Sequence, residues 1–135
     1  MESDLSEDLE YTELSYYTKN DCENILKEGD INQLRILTIS LGENFSDWKY
    51  AQNVCLELSS HEDEWVRGNA LLGLGYIART HGKLEKHLVK PVIMKGFRDK
   101  SAIVRGQAAI AVDDINFFLK WKIADKHTKK QNMEK

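Results

Sequence analysis

Apolar residues recur along the chain at spacings of three and four, and the runs are parted by glycines and capping residues, the signature of amphipathic helices. Asn20 opens a short helix that ends at Gly29, and Asp30 caps a second over residues 31–41 that Gly42 stops. Ser46 caps a third, in which Trp48, Ala51, Cys55 and Leu58 form one stripe. After a turn over residues 59–63, a fourth helix carries Val66, Ala70, Leu74 and Ile77 on one face and ends near Gly82. The fifth runs over residues 84–95, with Leu88, Val92 and Phe97 among its apolar positions, and stops at Gly96. The sixth starts near Ser101 and carries Val104, Ala108, Val112, Ile115 and Phe118 or Leu119. No stretch alternates with period two between hairpin turns, so the expected class is all-α, with helices in pairs.

The pattern also repeats. Residues 50–67 read YAQNVCLELSSHEDEWVR and residues 88–105 read LVKPVIMKGFRDKSAIVR, 38 positions later without a gap. Val54 falls on Val92, Cys55 on Ile93 and Leu56 on Met94. Val66-Arg67-Gly68 falls on Val104-Arg105-Gly106, Ala70 on Ala108, Leu74 on Val112 and Ile77 on Ile115. A period of 38 residues that holds two helices is one helical hairpin.

These residues resemble the HEAT-repeat family, whose second helix opens with V-R-x-x-A. The chain has VRGNALLGLG at residues 66–75 and VRGQAAIAV at residues 104–112. In that family an Asp six residues before the Arg joins it in a ladder between neighbouring repeats, and a Pro eight before the Asp bends the first helix. Asp99 stands six before Arg105, and Pro91 stands eight before Asp99. His61 takes the corresponding place before Arg67, so that rung is expected to be altered. Leu34-Arg35 followed by Leu41-Gly42 echoes Val66-Arg67 followed by Leu74-Gly75 with one residue deleted, a degenerate first unit. The resemblance implies a short right-handed α-α solenoid of about three hairpins over residues 18–123, with Arg67, Pro91, Asp99 and Arg105 as its structural repeat residues. Gly68, Gly73 and Gly75 are read as points of close helix approach, since each costs about 1 kcal/mol against alanine inside a helix.

Composition alters this picture little. At 135 residues the chain is one domain's worth, and its single proline suits long helices. The net charge of −3 creates no global field for nucleic acid, but the charge is unevenly spread. Residues 1–17 hold Glu2, Asp4, Glu7, Asp8, Glu10 and Glu13 with no Lys or Arg, and read as an acidic, disordered segment. Residues 124–135 form a basic tail with Lys126, Lys129, Lys130 and Lys135. Solvated ends are the plain reading, and steering of an oppositely charged partner is the sharper one. The acidic N-terminus lacks the apolar core of a secretory signal, and no apolar run reaches membrane length. Cys22 and Cys55 make no C-x-x-C pair; a reduced cytoplasmic protein is the favoured reading, a disulfide between them the alternative.

Catalytic chemistry finds no foothold. The HEAT-type deoxyhypusine hydroxylases hold di-iron with His-Glu pairs directly after the V-R step, where this chain has Gly68-Asn69 and Gly106-Gln107. His61-Glu62 lies in a turn, where a histidine reads as a turn or capping residue. His81, Glu85 and His87 straddle Gly82 and share no helical face. No phosphate-binding glycine loop is present. The expectation is a non-enzyme without cofactor or metal.

In the HEAT family the second helices line a concave face that commonly binds partners. Here that face would present Asn69, Tyr76 and Arg79 from the fourth helix, and Gln107, Asp113, Asp114 and Phe117 from the sixth. An aromatic among carboxylates suits a basic protein partner, while acids where a DNA-gripping relative needs cations argue against nucleic acid on this face. The plain reading makes Tyr76 a packing residue and Asp113-Asp114 a solvated helix face. The expected function is therefore protein binding, as an adaptor or as a stoichiometric inhibitor. In size and charge the chain resembles small HEAT-like immunity proteins that mask a basic toxin or nuclease. Nucleic-acid or polyanion binding through the basic C-terminal tail is the alternative. Of Phe117, Phe118, Trp121 and Ile123, at least two should cap the open end of the core, and any left exposed would form a docking or self-association patch.

Overall fold

The computed structural model describes residues 17–123, which form six helices: α1 (Lys19–Glu28), α2 (Ile31–Asn44), α3 (Trp48–Leu58), α4 (Glu64–His81), α5 (Lys86–Gly96) and α6 (Ala102–Leu119). Among the described residues there is no strand. The expectations for residues 1–16 and for the tail 124–135 lie outside the described residues; Tyr17, read with the acidic segment, packs partly buried against the core.

Helix starts differ from the sequence reading where a better acceptor lies nearby. Thr18 rather than Asn20 caps α1, through a reciprocal box in which Thr18 Oγ1 accepts from Asp21 N–H and the Asp21 carboxylate accepts from Thr18 N–H. Asp47 rather than Ser46 caps α3, because its carboxylate reaches the Tyr50 N–H at 3.1 Å. Helix α5 begins at Lys86, and its cap residue Glu85 is taken up by Gln52, which accepts from Glu85 N–H at 2.7 Å and donates to its carboxylate at 2.8 Å. Helix α2 does not stop at Gly42 but continues to Asn44. That glycine serves packing, since a Cβ there would lie 2.6 Å from Gly73 O on α4.

Helix α4 is the centre of the molecule. It packs closely against α2 on one side and α6 on the other, while α1, α3 and α5 form an outer row against these three. The starts of the outer helices follow one another along one edge, linked by Lys19–Asp47 at 3.0 Å and Lys49–Glu85 at 3.7 Å. Val66, Ala70, Leu74 and Ile77 are fully buried, as the helical spacing predicted. On α5 the burial falls to Val89 and Ile93, and Leu88, one of the apolar positions read on this helix, is 41% exposed because it lies a quarter-turn or more from that pair. On α6 the choice between Phe118 and Leu119 goes to Leu119, which packs on the core while Phe118 stays exposed.

Two arginines tie successive inner helices together. Arg67 donates through Nε and Nη2 to both carboxylate oxygens of Asp99, at 2.9 and 2.8 Å, and through Nη1 to the carbonyls of His61 and Glu62. Arg35 makes the same forked contact with Asp63, at 3.0 and 2.8 Å. His61 does not supply the earlier carboxylate, but Asp63, two residues on, does, and it also caps α4 through Val66 N–H. One repeat later these duties separate: Asp99 meets the arginine, and Ser101 caps α6. His61 keeps the remaining half of Asp99's role, its Nδ1 accepting from Asp63 N–H as Asp99 accepts from Ser101 N–H. Arg105 is exposed and reaches only the Asp99 carbonyl at 2.7 Å; Pro91 sits exposed within α5.

The C-terminal end of the core is closed by a hooked turn. Lys120 and Lys122 both take left-handed φ values of 59°, which reverse the chain so that Trp121 packs on the core and Ile123 is buried. Asn116 holds the hook, its amide donating to Ile123 O at 2.7 Å and accepting from Ile123 N–H at 2.8 Å. Replacing Asn116 with alanine should cost about 2 kcal/mol, because two backbone groups lose partners and two strained residues lose their restraint. A red shift of tryptophan emission at native pH, as Trp121 comes away, would accompany the loss; unchanged stability and emission would show that the hook holds without Asn116.

Candidate functional site

With α2, α6 and the outer row covering three of its sides, α4 offers solvent a narrow strip: Trp65, Leu72, Tyr76 and Arg79, spaced to fall on one side of the helix. The strip recurs 38 residues later on α6 as Ile103, Ile110, Asp114 and Phe117. Three large apolar side chains stand out of it, Trp65 at 43%, Ile110 at 54% and Phe117 at 66% exposure.

The predicted docking residues divide. Asn69 leaves the set, being only 9% exposed: its amide donates to Arg35 O on α2 at 2.6 Å and accepts from Gln107 Nε2 on α6 at 2.9 Å. It ties three helices together, and its sequence position gave no sign of this because both partners are remote. Gln107 is half-buried over Gly68, where any Cβ would overlap its amide. Tyr76 is half-buried against α2, and its ring carries the Arg79 guanidinium at 4.6 Å. Arg79 also meets Glu43 of α2 at 3.7 Å. Tyr76 thus packs against α2 while one side of it remains on the strip.

Asp113 and Asp114 are neighbours in sequence but part on the helix. Asp114 lies on the strip beside Ile110 and Phe117, at the place Tyr76 holds one repeat earlier. Asp113 stands at the place of Gly75, whose Cβ position is 3.1 Å from Ala111 of α6. On α6 that side faces outward, and Gly106, the counterpart of Gly68, has nothing within 4 Å. A charge at Asp113 thus marks the end of the helix row. Neither aspartate takes part in an ion pair among the described residues. Phe117 packs edge-on to Phe118 at 4.8 Å and carries Lys120 Nζ at 5.0 Å from its ring.

Cys22 and Cys55 are both free and buried. Burial, with Asp21 and Glu23 beside it, pushes the Cys22 thiol up to about 11, and burial raises Cys55 further, so neither is a thiolate at neutral pH. Among the described residues no group of three or more His, Cys, Asp or Glu is placed to hold a metal ion. No described helix is long and apolar enough to cross a membrane. Trp65 and Ile110 were missed as surface residues, although the 38-residue alignment puts them in register with Ile103 and Leu72. The chain matches no family model, no curated protein and no solved structure.

Proposed function

We propose that the chain is a non-catalytic HEAT-type solenoid module that docks a protein partner on the α4–α6 strip, as a stoichiometric inhibitor of the immunity type or as an adaptor. The observation that carries this reading is the duplicated strip, in which Trp65, Ile110 and Phe117 stay exposed on the same two helix faces as Arg79 and Asp114. Exposed aromatics and aliphatics beside an unpaired carboxylate supply anchor and orientation for a partner with a basic rim. The solenoid reading is supported by the forked arginine–aspartate contacts, which tie α2 to the start of α4 and α4 to the turn before α6.

The chain immobilised on resin should retain a partner from its source lysate that Ile110→Asp with Phe117→Asp does not retain, at unchanged melting temperature. The purified partner should bind one to one. Phe117→Ala should weaken it on the order of a hundredfold, the scale of an interface anchor. Equal retention by both chains would remove the strip from consideration.

A further inference from the structure

Positive charge is segregated in this molecule. Among the described cations up to residue 82, Lys19, Arg35, Lys49, Arg67 and Arg79 each have a carboxylate partner, and only Lys27 does not. From residue 83 onward none of the lysines or arginines has one among the described residues. Of the acids near α5, Glu85 is engaged by Gln52 and Lys49, and Asp99 by Arg67. Lys83, Lys86 and Lys90 are exposed, the latter two about one helical turn apart on the same side of α5. Lys86 Nζ lies 5.7 Å from the ring centre of Trp121, whose neighbour in the chain, Lys122, is exposed.

We infer that this edge, Lys83, Lys86 and Lys90 with Lys122, is a contact surface for the phosphate backbone of duplex nucleic acid, without base recognition. Its α5 lysines, Lys86 and Lys90, belong to the outer row and so lie apart from the protein-docking strip. A lipid surface fits less well, because the exposed apolar residue of α5, Leu88, points more than a third of a turn away from both Lys86 and Lys90 and no side chain on the edge is placed to insert. Single strands fit less well too, because Trp121 is packed on the core under Lys86 and offers no free stacking face. Lysines free of carboxylate partners act as point charges that replace condensed counterions, which gives binding that depends on salt rather than on sequence.

Fluorescence anisotropy of the full chain with a labelled mixed-sequence DNA duplex at low salt tests this. Binding is expected to weaken with salt at a log–log slope of about −3 to −4, one phosphate for each lysine. Lys86→Glu, Lys90→Glu and Lys122→Glu should each lower affinity on the order of tenfold and lessen the slope by about 1. Lys27→Glu, the same change of net charge at the unpaired cation far from this edge, should stay within about twofold. No binding at low salt, equal losses for Lys27→Glu, or tighter binding to phosphatidylserine vesicles than to DNA would each overturn the inference. So would loss through Lys126→Glu with Lys129→Glu and Lys130→Glu while Lys86→Glu has no effect.

Discussion

Arg67→Ala is expected to cost about 4 kcal/mol, the scale for removing one partner of a buried ion pair. For a domain of this size that lowers the thermal midpoint by roughly 15 °C. The Arg67 side chain is 9% exposed, and its loss strands the Asp99 carboxylate as well as the carbonyls of His61 and Glu62. Lysine cannot restore a forked contact with two further carbonyl bonds, so Arg67→Lys should recover less than half of the loss. Arg67→Met combined with Asp99→Leu should be markedly more stable than Arg67→Ala, because no charge is left buried alone. Calorimetry showing a midpoint drop of only a few degrees for Arg67→Ala would mean that the contact contributes no more than a surface pair.

The same contacts set an acid limit. The Arg67 guanidinium holds the Asp99 carboxyl below the usual range, aided by the Ser101 N–H, and the Arg35 fork holds Asp63 down to about 2. Both folded values lie below the unfolded carboxylate value of about 3.9, so the unfolded chain binds more protons between them. The stability these groups contribute is complete above that unfolded value and is lost as pH falls towards 2. Asp63→Asn should flatten the fall of stability over that window in circular-dichroism titrations; an unaltered slope would place the acid sensitivity elsewhere.

Gly73→Ala is expected to destabilise by about 3 kcal/mol, while Gly106→Ala gains several tenths to about 1 kcal/mol. Helix propensity favours alanine equally at both sites, so the opposite signs isolate packing. At Gly73 a Cβ would lie 2.7 Å from Thr38 O and 2.8 Å from Cys55 Sγ, and neither moves without separating α4 from α2 or α3. At Gly106 there is nothing within 4 Å. Urea denaturation of both variants decides the matter, and a gain at Gly73 would refute the close α2–α4 approach.

Those two glycines show how far sequence reading reaches. Both sit inside helices, Gly106 even shares the V-R-G motif with Gly68, and no local property says which of them touches a neighbour. Asn69 and His61 teach the same lesson. Asn69 stands one position past the V-R-G motif, as Gln107 does, yet it is buried because α2 and α6 supply partners from 34 and 38 residues away. His61 aligned with Asp99 by count, but the carboxylate that Arg35 needs came from Asp63, because a turn tolerates a shift of two residues when the side chain still reaches. Asp113 and Asp114 read as one acidic pair, and the 100° between successive helical positions sends one to the strip and the other to the end of the row.

By itself the sequence determined the six helices, the buried stripes of α3, α4 and α6 and the 38-residue recurrence, because apolar periodicity and capping act over a single turn of chain. Periodicity names the apolar side of a helix and is silent about what stands against its other sides. Only the tertiary structure decided that Asn69 ties α2 to α6, that Trp65, Ile110 and Phe117 share an open strip, and that none of the described cations beyond residue 82 has an acid partner. Each of these depends on which distant helix packs beside the residue, and that is settled by the fit of whole faces rather than by any local run of amino acids.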